Sequence, residues 1–386
     1  MSEKLTGAEL KASFGVANTY IGALIGPALV AGSLATFYFL PWGAWALILP
    51  FIGMGIIALE IYFGAQIPLR YKIYEYGEYA KKMYFGNKIL CVLLEIYLVV
   101  TLVIGAATVL SIAGTFMNEL CGMTPFMGML LMVVVALVLT LFKDGLIRVA
   151  NSIMSVIMIV AFFAVSILIL VLYGDQLIAV ISSWHVPEGA KAGGAISQVC
   201  AFGFLSCAMA VTLCCVEQPI VKKKQTTWIA IFAWVMGSVT VVLSCIIFLP
   251  FLAESLTSLT PMVDMMNNHL VNFAAWIPPV YYATMIFAIV SSLIPNMFMI
   301  TSRVEKWLPT TISGRNRMLI CGALFGAVIL GLAMFGVEKL MGVGYTAMSW
   351  AGVPLVLIPM CIIWPIKHYR EDKAKKAALA AGKEVE

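Results

Sequence analysis

Ten long apolar stretches, parted by short polar punctuation, constrain this 386-residue chain more than any other feature. They run over approximately 13–40, 42–66, 88–115, 124–142, 149–172, 195–216, 227–250, 276–300, 317–336 and 344–366. About 20 apolar residues carry a helix across the hydrocarbon core of a bilayer, where each backbone polar group must be satisfied within the segment. The stretches therefore read as ten transmembrane helices, and the chain as an all-α membrane protein whose main partner is lipid. Composition agrees: 62% of residues are hydrophobic and 11% charged, against about 45–50% and about 25% in soluble domains. That imbalance excludes a soluble enzyme, a disordered chain and a nucleic-acid binder. The first stretch is too long for a signal peptide, and no cleavage site precedes a soluble domain.

The few charges are sorted by side. With the N-terminus placed in the cytoplasm, 22 of the 24 Lys and Arg residues fall on the inner side, and only Lys191 and Lys339 fall outside. Inner loops of membrane proteins carry this excess, so both termini are expected to be cytoplasmic. The formal charge of +5 is then a topology signal rather than a nucleic-acid footprint. The run Lys222–Lys224 reads as one more inner anchor. Between the seventh and eighth stretches, 251–275 is moderately polar, carries Pro261, Asp264 and His269, and reads as a re-entrant or surface helical hairpin.

Two stretches carry breaks. The first contains Tyr20-Ile21-Gly22-Ala23-Leu24-Ile25-Gly26-Pro27 near its middle. A proline without an N–H beside two glycines opens the helical ladder. Opened backbone at membrane depth persists where it is buried or lines a wet cavity. Free carbonyls there bind cations, and the following half-helix N-terminus binds anionic groups. A plain packing kink is the alternative. The sixth stretch offers Phe202-Gly203-Phe204-Leu205-Ser206-Cys207-Ala208, a weaker signal that also fits packing through small residues. Gly22 and Gly203 stand 181 positions apart, close to half the chain. Paired interruptions in two halves are the best sequence pointer to a transporter's binding site. Wall candidates beside the breaks are Tyr20, Tyr97, Phe202 and Phe204, whose rings suit an ammonium group or serve as apolar bulk.

In the eighth stretch, Ser291 and Ser292 can offer oxygen ligands to a hard cation or bond back to their own helix. Two acids stand in the membrane, Glu60 in the second stretch and Glu95 in the third. Each is a functional candidate because intramembrane charge is costly. Glu60 can brace unwound backbone or carry a proton; Glu95 can be a proton or cation site, or an acid reaching the inner interface. Eight of the nine cysteines lie in apolar runs and no CxxC occurs, so neither a disulfide framework nor a metal cluster is expected. His185, His269 and His368 fall in loops or the tail. With no intramembrane His and no nucleophile–base pair, an enzyme is disfavoured and no cofactor is expected.

These features resemble the LeuT fold of the amino acid–polyamine–organocation superfamily. Within it, the chain is similar to YkvI-type bacterial membrane proteins. The similarity is carried by Thr19-Tyr20-Ile21-Gly22 with Gly26, by Gly105 to Gly114, by Gly122 to Asn151, and by Thr301-Ser302-Arg303-Val304-Glu305-Lys306. The resemblance implies an inverted repeat of five plus five helices with helices 1 and 6 interrupted. Its parts are a first repeat over 1–172, an extracellular loop over 173–194, a second repeat over 195–366 and a basic cytoplasmic tail over 367–386. It also implies a bacterial cytoplasmic (inner) membrane. In sodium-coupled members one sodium site joins the first-helix break to the eighth helix; matched by motif, this gives Gly22, Ile25, Ala288, Ser291 and Ser292. Glu60 in Leu59-Glu60 followed by Gly64 matches the acid that braces the broken helices. One departure stands out: after Gly26 the family commonly continues with a glycine- and polar-rich stretch, whereas here Pro27-Ala28-Leu29-Val30 follows.

The expectation is a secondary symporter coupled to sodium, carrying a small amino acid or an amine or quaternary ammonium compound. Its substrate residues are Tyr20, Gly22, Ala23, Gly26, Pro27, Tyr97, Phe202, Phe204, Ser206 and Cys207. Proton coupling through Glu95 or Glu60 is the alternative. A passive channel and a non-transporting sensor or assembly partner are rivals of other classes.

Overall fold

The computed structural model describes residues 5–24, 26–73, 75–140, 144–212, 220–258, 260–304, 308–309 and 311–380. Every regular element among them is helical. The first apolar stretch is divided into α1 (Gly7–Leu24), α2 (Pro27–Val30) and α3 (Ser33–Tyr38). Gly26 is extended, and Pro27 opens α2 where a missing N–H costs nothing. A second turn follows at Gly32, whose φ of +87° favours glycine. A Cβ there would also stand 2.4 Å from the ring of Phe248. At its other end α1 begins in a capping box: the Thr6 N–H donates to Glu9 Oε2 (2.8 Å) and the Glu9 N–H to Thr6 Oγ1 (3.3 Å).

The second crossing starts later than the apolar run at 42. Leu40–Leu47 is a tight 3-10 segment with Pro41 at its start and Gly43 at φ 58°, so α4 begins at Leu49 and ends at Gly64. Then come α5 (Gln66–Tyr71), α6 (Tyr76–Met83), α7 (Lys88–Cys121) and α8 (Pro125–Thr140). The fifth crossing, α9 (Asp144–Ser182), runs ten residues past 172, bending at Tyr173 (φ −125°, ψ 21°). The polar Gly174-Asp175-Gln176 is one turn inside a helix whose next turn still buries Leu177, which shortens the expected 173–194 loop.

The sixth crossing is α10 (Ala192–Leu205) and α11 (Cys207–Thr212), followed by α12 (Lys223–Phe248). The expected hairpin region contains α13 (Leu252–Thr257), α14 (Pro261–Asp264) and a π-helical turn over Met265–Leu270. It packs onto the broken first crossing: the Met262 N–H donates to the Ala31 carbonyl at 3.2 Å, and Met262, Val263 and Met266 are buried. After α15 (Ile277–Val304) and α16 (Gly314–Ala333), the last crossing alternates α and π turns. It comprises α17 (Val337–Lys339), Leu340–Tyr345, α18 (Thr346–Gly352), Val353–Leu357, Pro359–Ile363 and α19 (Trp364–Ala380).

Eight helical segments among the described residues are long and apolar enough to cross a membrane. With the broken first segment and the shorter Pro125–Thr140, the chain is a multi-pass membrane protein compatible with ten crossings. The described part of the tail is helical, because α19 continues the last crossing as far as Ala380 and meets α5. Arg70 makes two bonds to Asp372 (2.8 and 3.1 Å), and His368 is buried beside Tyr71 and Trp364. His368 lies in the helical part of the tail and His269 in a π turn of the hairpin region, each beside aromatic neighbours.

Candidate functional site

Helix α4 forms the centre of the bundle, packed against α10, α11, α12 and the π turns Pro359–Ile363. Its Glu60 is completely buried. Charge placed there loses hydration, so its partners decide its state. They come from the sixth-helix break. Ser206 Oγ lies 2.6 Å from Glu60 Oε2, and the Cys207 thiol donates to Oε1 at 3.1 Å. Ser206 is the single residue between α10 and α11, with φ −76° and ψ −7°, so this interruption is one tightened turn rather than a wide gap. Glu60 thus braces the sixth helix.

The first helix reaches the same point. Tyr20, 4% exposed, donates its hydroxyl to the Ser206 carbonyl at 3.4 Å, joining positions 186 apart in sequence. From α7, Tyr97 adds a buried hydroxyl with no hydrogen-bond partner among the described residues. A Cβ on Gly352 would stand 2.7 Å from that hydroxyl and 3.0 Å from Cys207 Cβ, so the last crossing closes this side through glycine. Tyr20, Glu60, Tyr97, Ser206 and Cys207 form one cluster drawn from four crossings, the first, second, third and sixth.

Other candidates lie elsewhere. Phe202 is buried, but its ring packs on Tyr38 and Phe39 at 5.4 and 5.0 Å, on the other side of the break. Phe204 packs on Trp350 at 5.5 Å, and Trp350 is exposed on the outer surface. Glu95 is half-buried and stands two residues from Tyr97, about 200° around α7 and so on another face. Gly22 and Ala23 are in the last turn of α1, Gly26 and Pro27 open α2, and Ile25 lies outside the described residues. On α15, Ala288 is buried and Ser291 donates to its carbonyl at 3.0 Å, while Ser292 is half-buried. Helix α15 also packs on α2, where Tyr281 donates to the Val30 carbonyl at 2.9 Å. The eighth crossing and the first break are therefore neighbours.

Two contacts go beyond the sequence reading, which takes Gly203 only as part of the break and Lys222 only as an inner anchor. Gly203 contributes its carbonyl, 2.8 Å from Ser206 Oγ. At the basic end, Glu9 pairs with Lys222 at 2.9 Å and Gln225 Nε2 donates to the Glu9 carbonyl at 3.3 Å, tying α1 to α12. The Thr6-x-x-Glu9 spacing was the available signal for that helix start. Among the described residues no group of three His, Cys, Asp or Glu side chains could hold a metal ion.

The chain has the LeuT fold, a helical bundle with the first and sixth helices interrupted, which solved structures share with it. The sequence itself matches no protein-family profile and no curated protein. Solved structures match over nearly the whole chain. They include Mhp1 in its inward-facing conformation (TM-score 0.61, 14% identity, 90% of this chain and 75% of that one). Another is MhsT in complex with L-phenylalanine (0.58, 15%, 91% and 86%). A third is a Na+-coupled sialic acid symporter in a substrate-bound outward-open state (0.53, 11%, 92% and 85%).

Proposed function

We propose that this chain is a secondary active transporter working by alternating access, and that it couples sodium to a small amino acid or amine. The observation that carries the reading is the meeting of the two interrupted helices, where the Tyr20 hydroxyl of the first bonds the Ser206 carbonyl at the break of the sixth. Discontinuous helices facing each other at mid-depth supply the backbone ends that such transporters use. Substrate would sit beside Tyr20, Ala23, Gly26, Pro27, Tyr97, Ser206 and Cys207. Sodium would take carbonyls at Gly22, Ile25 and Ala288 with the Ser291 and Ser292 hydroxyls, a set of hard oxygens. The packing of α15 against α2 supports that pairing, and Ser291 keeps its lone pairs while donating to Ala288. The neighbours' L-phenylalanine and Na+ coupling point the same way. The two repeats would span 1–172 and 195–366, in a bacterial cytoplasmic membrane with both termini inside.

Uptake of a panel of radiolabelled amino acids and quaternary amines into proteoliposomes tests this. Saturable accumulation driven by an inward sodium gradient is expected; ion current without saturable exchange would instead mark a channel. A second reading, proton coupling, is favoured at Glu60 by its complete burial. Glu95 lacks that placement.

A further inference from the structure

The Ser206 hydroxyl has one proton and stands between two oxygens. Its Oγ lies 2.6 Å from Glu60 Oε2 and 2.8 Å from the Gly203 carbonyl oxygen. A carbonyl only accepts, an ionised carboxylate only accepts, and a hydroxyl donates once. With Glu60 ionised, Ser206 can satisfy one neighbour, and the other contact sets two oxygens without a proton against each other. The Gly203 carbonyl keeps the Ser206 N–H at 3.2 Å in either case, so the cost of the ionised state is the close approach of two bare oxygens in a buried site. With Glu60 protonated both contacts become bonds. Oε2–H donates to Ser206 Oγ, Oγ–H donates to the Gly203 carbonyl, and the Cys207 thiol donates to Oε1 at 3.1 Å.

Among the described residues no cation acts on Glu60, and Arg70 on the neighbouring α5 is paired with Asp372. The titratable groups that face Glu60 are Tyr20 on α1, Tyr97 on α7, Cys207 on α11 and Cys361 in the π turns Pro359–Ile363. All four are neutral acids whose ionisation would add negative charge. The 3-10 segment before α4 and helix α10 contain no charged residue, and the Lys223 and Lys224 of α12 are exposed in its first turn.

We propose that Glu60 is a proton-carrying site, and that its proton ties the second helix to the break in the sixth through a Glu60–Ser206–Gly203 relay. When the O–H bond at Oε2 breaks, the proton leaves to water on whichever side of the membrane the site is open. Ser206 then turns its hydroxyl to the carboxylate and releases the Gly203 carbonyl. The last turn of α10 loses its side-chain tie, so proton occupancy and the geometry of the break change together. That the proton serves transport rests on the transporter reading; its presence in this conformation rests on the relay alone.

Infrared spectroscopy of the purified full chain separates the two. A protonated-carboxyl band is expected at neutral pH, lost in Glu60→Gln and moved to higher frequency in Ser206→Ala, where the acid loses its acceptor. Loss of the wild-type band on raising the pH completes the assignment. If Glu60→Gln fails to fold, the Ser206→Ala shift still reads the relay. A wild-type spectrum identical to that of Glu60→Gln, or a band indifferent to Ser206→Ala, overturns the proposal. The same preparation, reconstituted and inactive toward every solute tested but retaining the band, would sink the transporter reading and leave the proton in place.

Discussion

At the scale of single residues, the buried Tyr97 hydroxyl is the sharpest probe of what the site holds. A hydroxyl kept from water without a partner costs about 1–3 kcal/mol, and among the described residues this one has no partner within hydrogen-bond geometry. Tyr97→Phe is therefore expected to melt at the same temperature as the parent or a higher one in a detergent thermal-shift assay. If the hydroxyl meets substrate, the same variant raises the KM for uptake while leaving expression intact. An unchanged KM would remove Tyr97 from the substrate wall. Residue type and membrane depth single out Glu60, Tyr20, Tyr97, Ser206 and Cys207 as candidates, and the structure brings these five together. The Ser206–Gly203 contact is not legible in the sequence, because it depends on a rotamer and on a helix tightening by one residue. Phe202 and Phe204 show the same limit: both flank the break, yet each points its ring away from it, and a run of residues around a bend does not say which side faces inward.

At the scale of elements, proline and glycine chemistry puts a break within 20–27, and the structure narrows it to the Gly26-Pro27 end because Gly22 stays in α1; hydropathy misplaces several helix ends. The start of the second crossing was hidden because Leu40–Leu47 is as apolar as the helix it precedes. The end of the fifth was hidden because one polar turn interrupts an otherwise buried helix. The tie between α1 and α12 joins residues 213 apart, and no local pattern announces it. It has a consequence for the basic end of the bundle. The bond from Lys222 holds the Glu9 carboxyl below its usual range, helped by the Thr6 N–H. A carboxyl lowered in the folded state stabilises above its unfolded value, about 4.3 for Glu, and that contribution is lost as pH falls through the lowered folded value. The first turns of α1 should thus stay protected from hydrogen exchange across the neutral range and loosen only in stronger acid. Glu9→Gln or Lys222→Met should bring the loosening to neutral pH, read by mass spectrometry on peptides covering 5–15. Equal exchange in parent and variants at neutral pH would show that the pair holds nothing.

For the whole molecule, the transporter reading offers two driving ions, with candidate sites on different helices. The sodium site would lie where α15 meets the first break, and the proton on Glu60 lies where α4 meets the sixth. Because the sites share no residue, their removal is separable, as expected of positions with no common partner. Ser291→Ala with Ser292→Ala takes away hydroxyl ligands but leaves Glu60, Ser206 and Cys207 untouched. Glu60→Gln keeps the shape and the donor toward Ser206 but fixes the neutral state. If sodium drives uptake and Glu60 only braces the break, the double serine variant abolishes the sodium dependence of uptake, and Glu60→Gln transports with an unaltered pH profile. If the proton is a coupling ion, Glu60→Gln flattens the pH profile and stops accumulation against a gradient while exchange of labelled for unlabelled solute continues. Exchange needs the helices to rearrange with substrate bound, whereas net uptake also needs the emptied carrier to return with its proton released. Counterflow against net uptake, measured at several pH values with and without sodium, therefore assigns each ion to its helix pair.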